Sequence, residues 1–157
     1  MVGHRIAGRV ALVLALVGTA VVGSSAPASA VTCPVVDPVT HVVTPAPVIN
    51  TDWSGCDLHG AVLAGATLRL ANLSGADLTG ADLSGADVRQ AKLTGADLTG
   101  ADLGAANLTS ATITAATVSG ADLGGAVLTS LSSGSVVGAP AVLPAAFWMQ
   151  AGFLLGP

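Results

Sequence analysis

The stretch GADLTGADLGAANLTSATIT, Gly95 to Thr114, returns to alanine every five residues. Five is the period of neither common secondary structure. Five helical steps of about 100° carry each successive Ala or Leu about 140° further round an α-helix, so no apolar stripe forms. Five steps along a plain strand put successive leucines on opposite faces of a sheet. A short extended segment followed by a turn in every unit satisfies the pattern, because the small and the large residue then both point to a shared axis.

The same phase runs outward in both directions, through sixteen units from Thr51 to Ser130. The middle residue of each unit is Trp53, then Leu, Val or Ile throughout, and alanine opens fourteen consecutive units from Ala61 to Ala126. The fifth residue is glycine in ten of the sixteen, which suits a turn that needs φ > 0. Repetition of this kind signals a solenoid, in which no unit buries its own face and stacking supplies the core. The core is expected to be the alanine column beside the leucine column.

The A(D/N)LxG phase resembles the pentapeptide repeat family over about 80 residues, 51–130. The resemblance implies an all-β fold, a right-handed quadrilateral β-helix with four units per coil and about four coils in all. At about 4.8 Å per coil the stack is about 20 Å tall.

Composition agrees with a repeat array. The 157 residues are 52% hydrophobic, 9% charged and only 3% aromatic, so small side chains and not rings must fill the interior. The first thirty residues differ from the rest: Arg5 and Arg9 precede an apolar run from Val10 to Val22, and Ala28-Ser29-Ala30 follows. That order reads as a secretory signal peptide, 1–30, cleaved after Ala30. The run is shorter than the roughly 20 residues a bilayer span needs; the alternative is an uncleaved anchor. Export predicts a secreted, extracellular chain with no stable membrane span after cleavage.

Beyond Ala30, three bases (Arg69, Arg89, Lys92) face nine Asp and no Glu, a net charge of −6. An acidic chain without a basic stripe argues against direct nucleic-acid binding. The only cysteines, Cys33 and Cys56, both lie in this exported part and are expected to form a disulfide. Closing that loop is worth roughly 3 to 4 kcal/mol by chain entropy. The alternative, free thiols or a metal pair, lacks further His or Cys ligands at metal-site spacing. Residues 31–50, VTCPVVDPVTHVVTPAPVIN, carry four prolines and read as an extended arm with room for one short strand, Val39 to Val43.

The tail 131–157 leaves the sequence phase and resembles the spacer between repeat blocks in some exported relatives. It either marks a truncated array or folds over the last coil as a cap, with Phe147, Trp148, Met149, Phe153 and Leu154 as the capping side chains or as an intermolecular patch.

With four units per coil, residues twenty apart stack, and the outward second position of each unit forms columns. One reads Asp57, Asp77, Asp97, Thr117 and the next Val62, Asp82, Asp102, Asp122. Asp52, Asn72, Lys92, Thr112 and Thr67, Asp87, Asn107, Val127 make the other two. Two adjacent faces thus carry six carboxylates and no base. Carboxylates one coil apart repel by about 1 kcal/mol in water, so the arrangement has one of three origins. Asp suits a solvated turn, hard oxygens bind cations such as Ca²⁺ weakly, or the faces meet a basic partner. Some members of the family imitate duplex DNA and bind DNA gyrase, which makes a topoisomerase inhibitor or protector the alternative function. Against that stand the export signal and the charge count: a 20 Å length of duplex carries about twelve phosphates, and the repeat block has eight Asp and three bases.

His41 and His59, the only histidines past residue 30, have no Ser-Asp or Cys partner in an arrangement suggestive of a nucleophile and its base. A convex rod offers no cleft to separate the pKa values of paired carboxylates. The expectation is an exported, non-catalytic structural or interaction module with no cofactor and no metal. Its partner is a protein or a cell-wall component, and its oligomeric state is left open.

Overall fold

The computed structural model describes residues 31–145, 147–150 and 152–155, so the expected signal peptide lies outside the described residues. Within them the dominant element is a ladder of sixteen isolated parallel bridges, each joining a residue to the one twenty further on. The bridges form four columns, and the one through Val62 and Asp82 runs from Val42 to Val142. No helix occurs among the described residues, and the fold is a β-solenoid.

The period of five follows from where each unit sends its N–H groups, as Ala76–Gly80 illustrates. Ala76 donates back across the turn to the Leu73 carbonyl (3.1 Å), and Asp77 to the Cys56 carbonyl one coil before (2.9 Å). Leu78 and Gly80 donate to the coil after, at the Asp97 and Thr99 carbonyls (2.8 and 2.9 Å). The remaining N–H, of Thr79, is taken by the Asp77 side chain, Oδ1 at 2.9 Å. All five donors are satisfied and the chain has turned a corner, so the pattern repeats without debt. The corner itself needs a left-handed residue: every fifth residue from Asn50 to Ser135 has φ between 53° and 70°. That requirement is why glycine predominates there.

Between the corners, first and third residues point inward. Alanines 61, 71, 81, 91, 101 and 111 and leucines 58, 68, 78, 83, 93 and 103 are at most 2% exposed and belong to one continuous core. Among the described residues no polar or charged one is buried with them. Cys56 occupies an alanine position of this column, buried like its neighbours, and is bonded to Cys33 with 5.4 Å between the Cα atoms. The expected disulfide is present, closing a separation of 23 residues.

Both flanks join the ladder. In the arm, β1 (Val35–Val36) pairs antiparallel with β2 (Val43–Thr44), and Val42 bridges to Val62. The single strand expected over Val39–Val43 is thus shorter and displaced. Asp37 Oδ1 takes the N–H groups of Val39 (2.9 Å) and Thr40 (2.6 Å), turning Pro38–Thr40 back on β1. Past Ser130, where alanine and glycine no longer recur, Ser132, Val137 and Val142 still pair in register. The ladder needs backbone groups, which any residue but proline supplies, and so outlasts the side-chain pattern. After Pro144 the chain leaves the column. Phe147, twenty residues beyond Val127, bonds its N–H to Pro144 (3.1 Å). The hairpin of β3 (Trp148–Gln150) and β4 (Phe153–Leu155) then lies on the last coil. Val136 N–H donates to Gly152 O (2.9 Å), Leu154 N–H to Ser133 Oγ (3.0 Å), and Phe147, Met149 and Leu154 pack on the core.

Candidate acidic interaction surface

The second residue of each unit points outward, and its side chain has a backbone duty first. All ten Asp and Asn at this position between Asp52 and Asp122 accept the N–H of the residue two further on, at 2.7–3.3 Å. Oδ1 is thereby fixed against the corner. Ser84 and Thr99 add their hydroxyls to Asp82 and Asp97, both at 2.6 Å.

The bridges place Asp57, Asp77 and Asp97 on one column and Asp82, Asp102 and Asp122 on the next, since consecutive units lie on consecutive faces. All six predicted acidic residues therefore stand on two neighbouring columns. Asp57, Asp77 and Asp102 are exposed and the other three half-buried. Rungs about 4.8 Å apart set the spacing within a column. The Thr79 hydroxyl and N–H hold the Asp77 carboxyl below the usual range, with the charge of His59 a smaller contribution. The Ser84 hydroxyl and N–H do the same for Asp82. Both stay ionised at neutral pH despite the crowding.

Sequence reasoning missed one neighbour of this surface, the groove where the arm meets the first coil. Pro34, Val36, Asp37, Pro38, His41, Asp57 and His59 line an open space of about 430 Å³. Its only sequence signal is the pair of histidines, whose approach depends on how the arm folds back. Gly60 lies under the His41 ring, where an added Cβ would stand 3.1 Å from Nδ1. Among the described residues no serine, threonine or cysteine lines the groove. Among the described residues no three His, Cys, Asp or Glu are placed to hold a metal ion, and no helix is long and apolar enough to cross a membrane.

No curated protein matches the chain. Among solved structures it is similar to the pentapeptide repeat protein Rfr23 from the cyanobacterium Cyanothece 51142, with 27% identity, 61% of this chain and 62% of that one covered, and a TM-score of 0.42. A thylakoid-lumen pentapeptide repeat protein of Arabidopsis thaliana shares 35% identity over 46% of this chain and 64% of its own, TM-score 0.32. HetL from Nostoc sp. strain PCC 7120, involved in heterocyst differentiation regulation, shares 26% over 61% and 65%, TM-score 0.29. The chain thus spans between three-fifths and two-thirds of the length of these three structures. The family model for pentapeptide repeats matches in eight copies over residues 49–80, 56–95, 71–109 and 91–129. With those matches on more than half of its residues, the chain belongs to the pentapeptide repeat family.

Proposed function

We propose that this chain is an exported, non-catalytic interaction module whose two acidic columns dock a basic protein or cell-wall partner. Its scaffold is read as a right-handed quadrilateral β-helix of four units per coil, 51–130, with an N-terminal arm and a C-terminal cap. The observation that carries the reading is the placement of Asp57, Asp77 and Asp97 beside Asp82, Asp102 and Asp122 on a rigid ladder. One oxygen of each is committed to the backbone, so the charges are presented in fixed positions at little entropic cost. Regular, one-signed charge of this kind favours a complementary surface and speeds its encounter. The disulfide and the lack of a membrane-spanning helix among the described residues are compatible with an extracellular location.

Asparagine at 77, 82, 97 and 102 keeps the backbone acceptor and removes the charge, as Asn72 and Asn107 already do. The test is capture from the producing cell's wall and medium fractions by residues 31–157, beside the fourfold Asp→Asn variant. A partner held by the native chain and released by the variant supports the docking role. Equal capture by both, or capture by neither, contradicts it.

A further inference from the structure

The three bases beyond residue 30 are not scattered. They fall between Arg69 and Lys92, and the twenty-residue register collects them at one corner of the solenoid. Arg69 and Arg89 occupy the same position on successive coils, joined by the bond from Leu70 N–H to Arg89 O (2.9 Å). Lys92 stands on the next column, between Asn72 and Thr112. All three are exposed.

We propose that Arg69, Arg89 and Lys92 form a contact surface for a flexible phosphate-bearing polyanion running along the stack, opposite in sign to the acidic columns. Arg89 gives Nε and Nη2 to Asp87, at 2.7 and 2.6 Å, which fixes the guanidinium, and its Nη1 makes no hydrogen bond among the described residues. Arg69 makes no side-chain hydrogen bond or ion pair among the described residues. Arg69 and Arg89 stand one rung apart, about 4.8 Å along the ladder, and share the Asp87 carboxylate, while Lys92 has Asp52 on its own column, so three bases against two carboxylates leave the corner a net charge of +1. An anion relieves it.

The arginine fork pairs with a phosphate as it does with a carboxylate. Every unit of a linear phosphate polymer carries two non-bridging oxygens and one charge, so one unit meets the fork of Arg69 while a neighbouring unit of the same strand reaches Arg89 one rung on. A polymer is favoured over a single ion because the chain is net negative, and only several linked charges engaging three bases together outweigh that field. A thin, flexible strand follows this corner. A rigid duplex also meets the carboxylates of neighbouring columns.

Leu70, directly after Arg69, adds an independent oddity. It is 41% exposed and has φ 62° at a corner where glycine is the usual residue. A left-handed, solvent-facing leucine is costly and gives the corner an apolar platform beside its charges.

The test is titration of residues 31–157 with linear inorganic polyphosphate at low salt. The variants are Arg69→Gln/Lys92→Gln, which spares the Arg89–Asp87 pair, and the triple Gln variant. Binding is expected to fall about tenfold or more in the triple variant, with the double variant between. The native log K against log salt should slope by about −2, for three contacts at about −0.7 each. The acidic-face variant, Asp77, Asp82, Asp97 and Asp102→Asn, keeps the bases and is expected to bind at least as well, which separates this surface from the docking role proposed above. Matched melting temperatures exclude misfolding as the cause of loss. Absent binding, binding unchanged in the triple variant, or equal or tighter binding to duplex DNA or to anionic lipid vesicles overturns the proposal.

Discussion

Residues 82 and 83 are neighbours in the chain and opposites in the structure, so substituting each in turn tests the inward and outward assignment within one unit. Leu83 is 1% exposed in the shared core, with Ala81 and Leu78 before it and Ala86 after. Truncating a buried leucine to alanine costs about 2–5 kcal/mol, the upper end applying where the surroundings cannot collapse into the cavity. Here they are pinned: Leu83 N–H bonds Asp102 O at 2.7 Å and Asp82 N–H bonds Ala61 O at 2.9 Å, which holds the coils at fixed spacing. Leu83→Ala is therefore expected to cost about 4 kcal/mol. For a chain of this size that lowers Tm by roughly 10–20 °C. Leu83→Asp, which buries an unpaired carboxylate, should abolish cooperative folding. Asp82→Asn keeps the acceptor for Ser84 and should leave Tm within about 2 °C. Asp82→Ala removes it and should cost about 1 kcal/mol. Far-UV circular dichroism during thermal and urea unfolding reads all four. A Leu83→Ala protein that melts with the native one would refute the inward assignment and the packing derived from it.

Three further outcomes are expected. Replacing the disulfide by Cys33→Ser with Cys56→Ala, which restores the residue usual at that core position, should destabilise the arm by about 3 kcal/mol; hydrogen exchange at Val62, whose N–H bonds His41 O, should accelerate while that at Leu93 stays slow. Acid should destabilise the fold, because hydrogen bonds hold the carboxyls of Asp52, Asp77, Asp82 and Asp87 below the usual carboxylate range. With folded values depressed, the contribution is present above about pH 4 and lost as pH falls through the lower, folded values, so Tm should be flat from pH 8 to 5 and drop below 4; a Tm that rises toward pH 3 contradicts this. At Ala105, where φ is 55°, glycine relieves a strained corner and Ala105→Gly should raise stability by up to about 1 kcal/mol, against the loss such a change brings at ordinary backbone.

The repeat and its core were legible because one physical requirement recurs with little interference. Each unit must supply a small inward residue, a large inward residue and a left-handed corner, and Ala81, Leu83 and Gly85 do so in the open. The corner residues also show where the signal weakens: Leu70, Gln90 and Ser110 adopt the same left-handed conformation with no glycine to announce it. For the same reason the rungs at Ser132, Val137 and Val142 were hidden, since backbone pairing leaves no mark in side-chain type. The six aspartates were found by counting in twenties, and their bond to the residue two further on follows from the ordinary habit of Asp at turns. The arm was harder. Its strand register is set by the Asp37 turn and by the disulfide anchor, and the histidine groove exists only once both have brought the arm back to the first coil.

Both charged surfaces exist only if residues twenty apart are hydrogen-bonded neighbours in solution. The most direct measurement is the scalar coupling transmitted across backbone hydrogen bonds in labelled protein. It should connect the amide nitrogen of Leu83 with the carbonyl carbon of Asp102, and that of Leu78 with Asp97. Couplings from these two amides to any other carbonyl, or none within the repeat block, would contradict the register and with it the columns on which the functional reading stands.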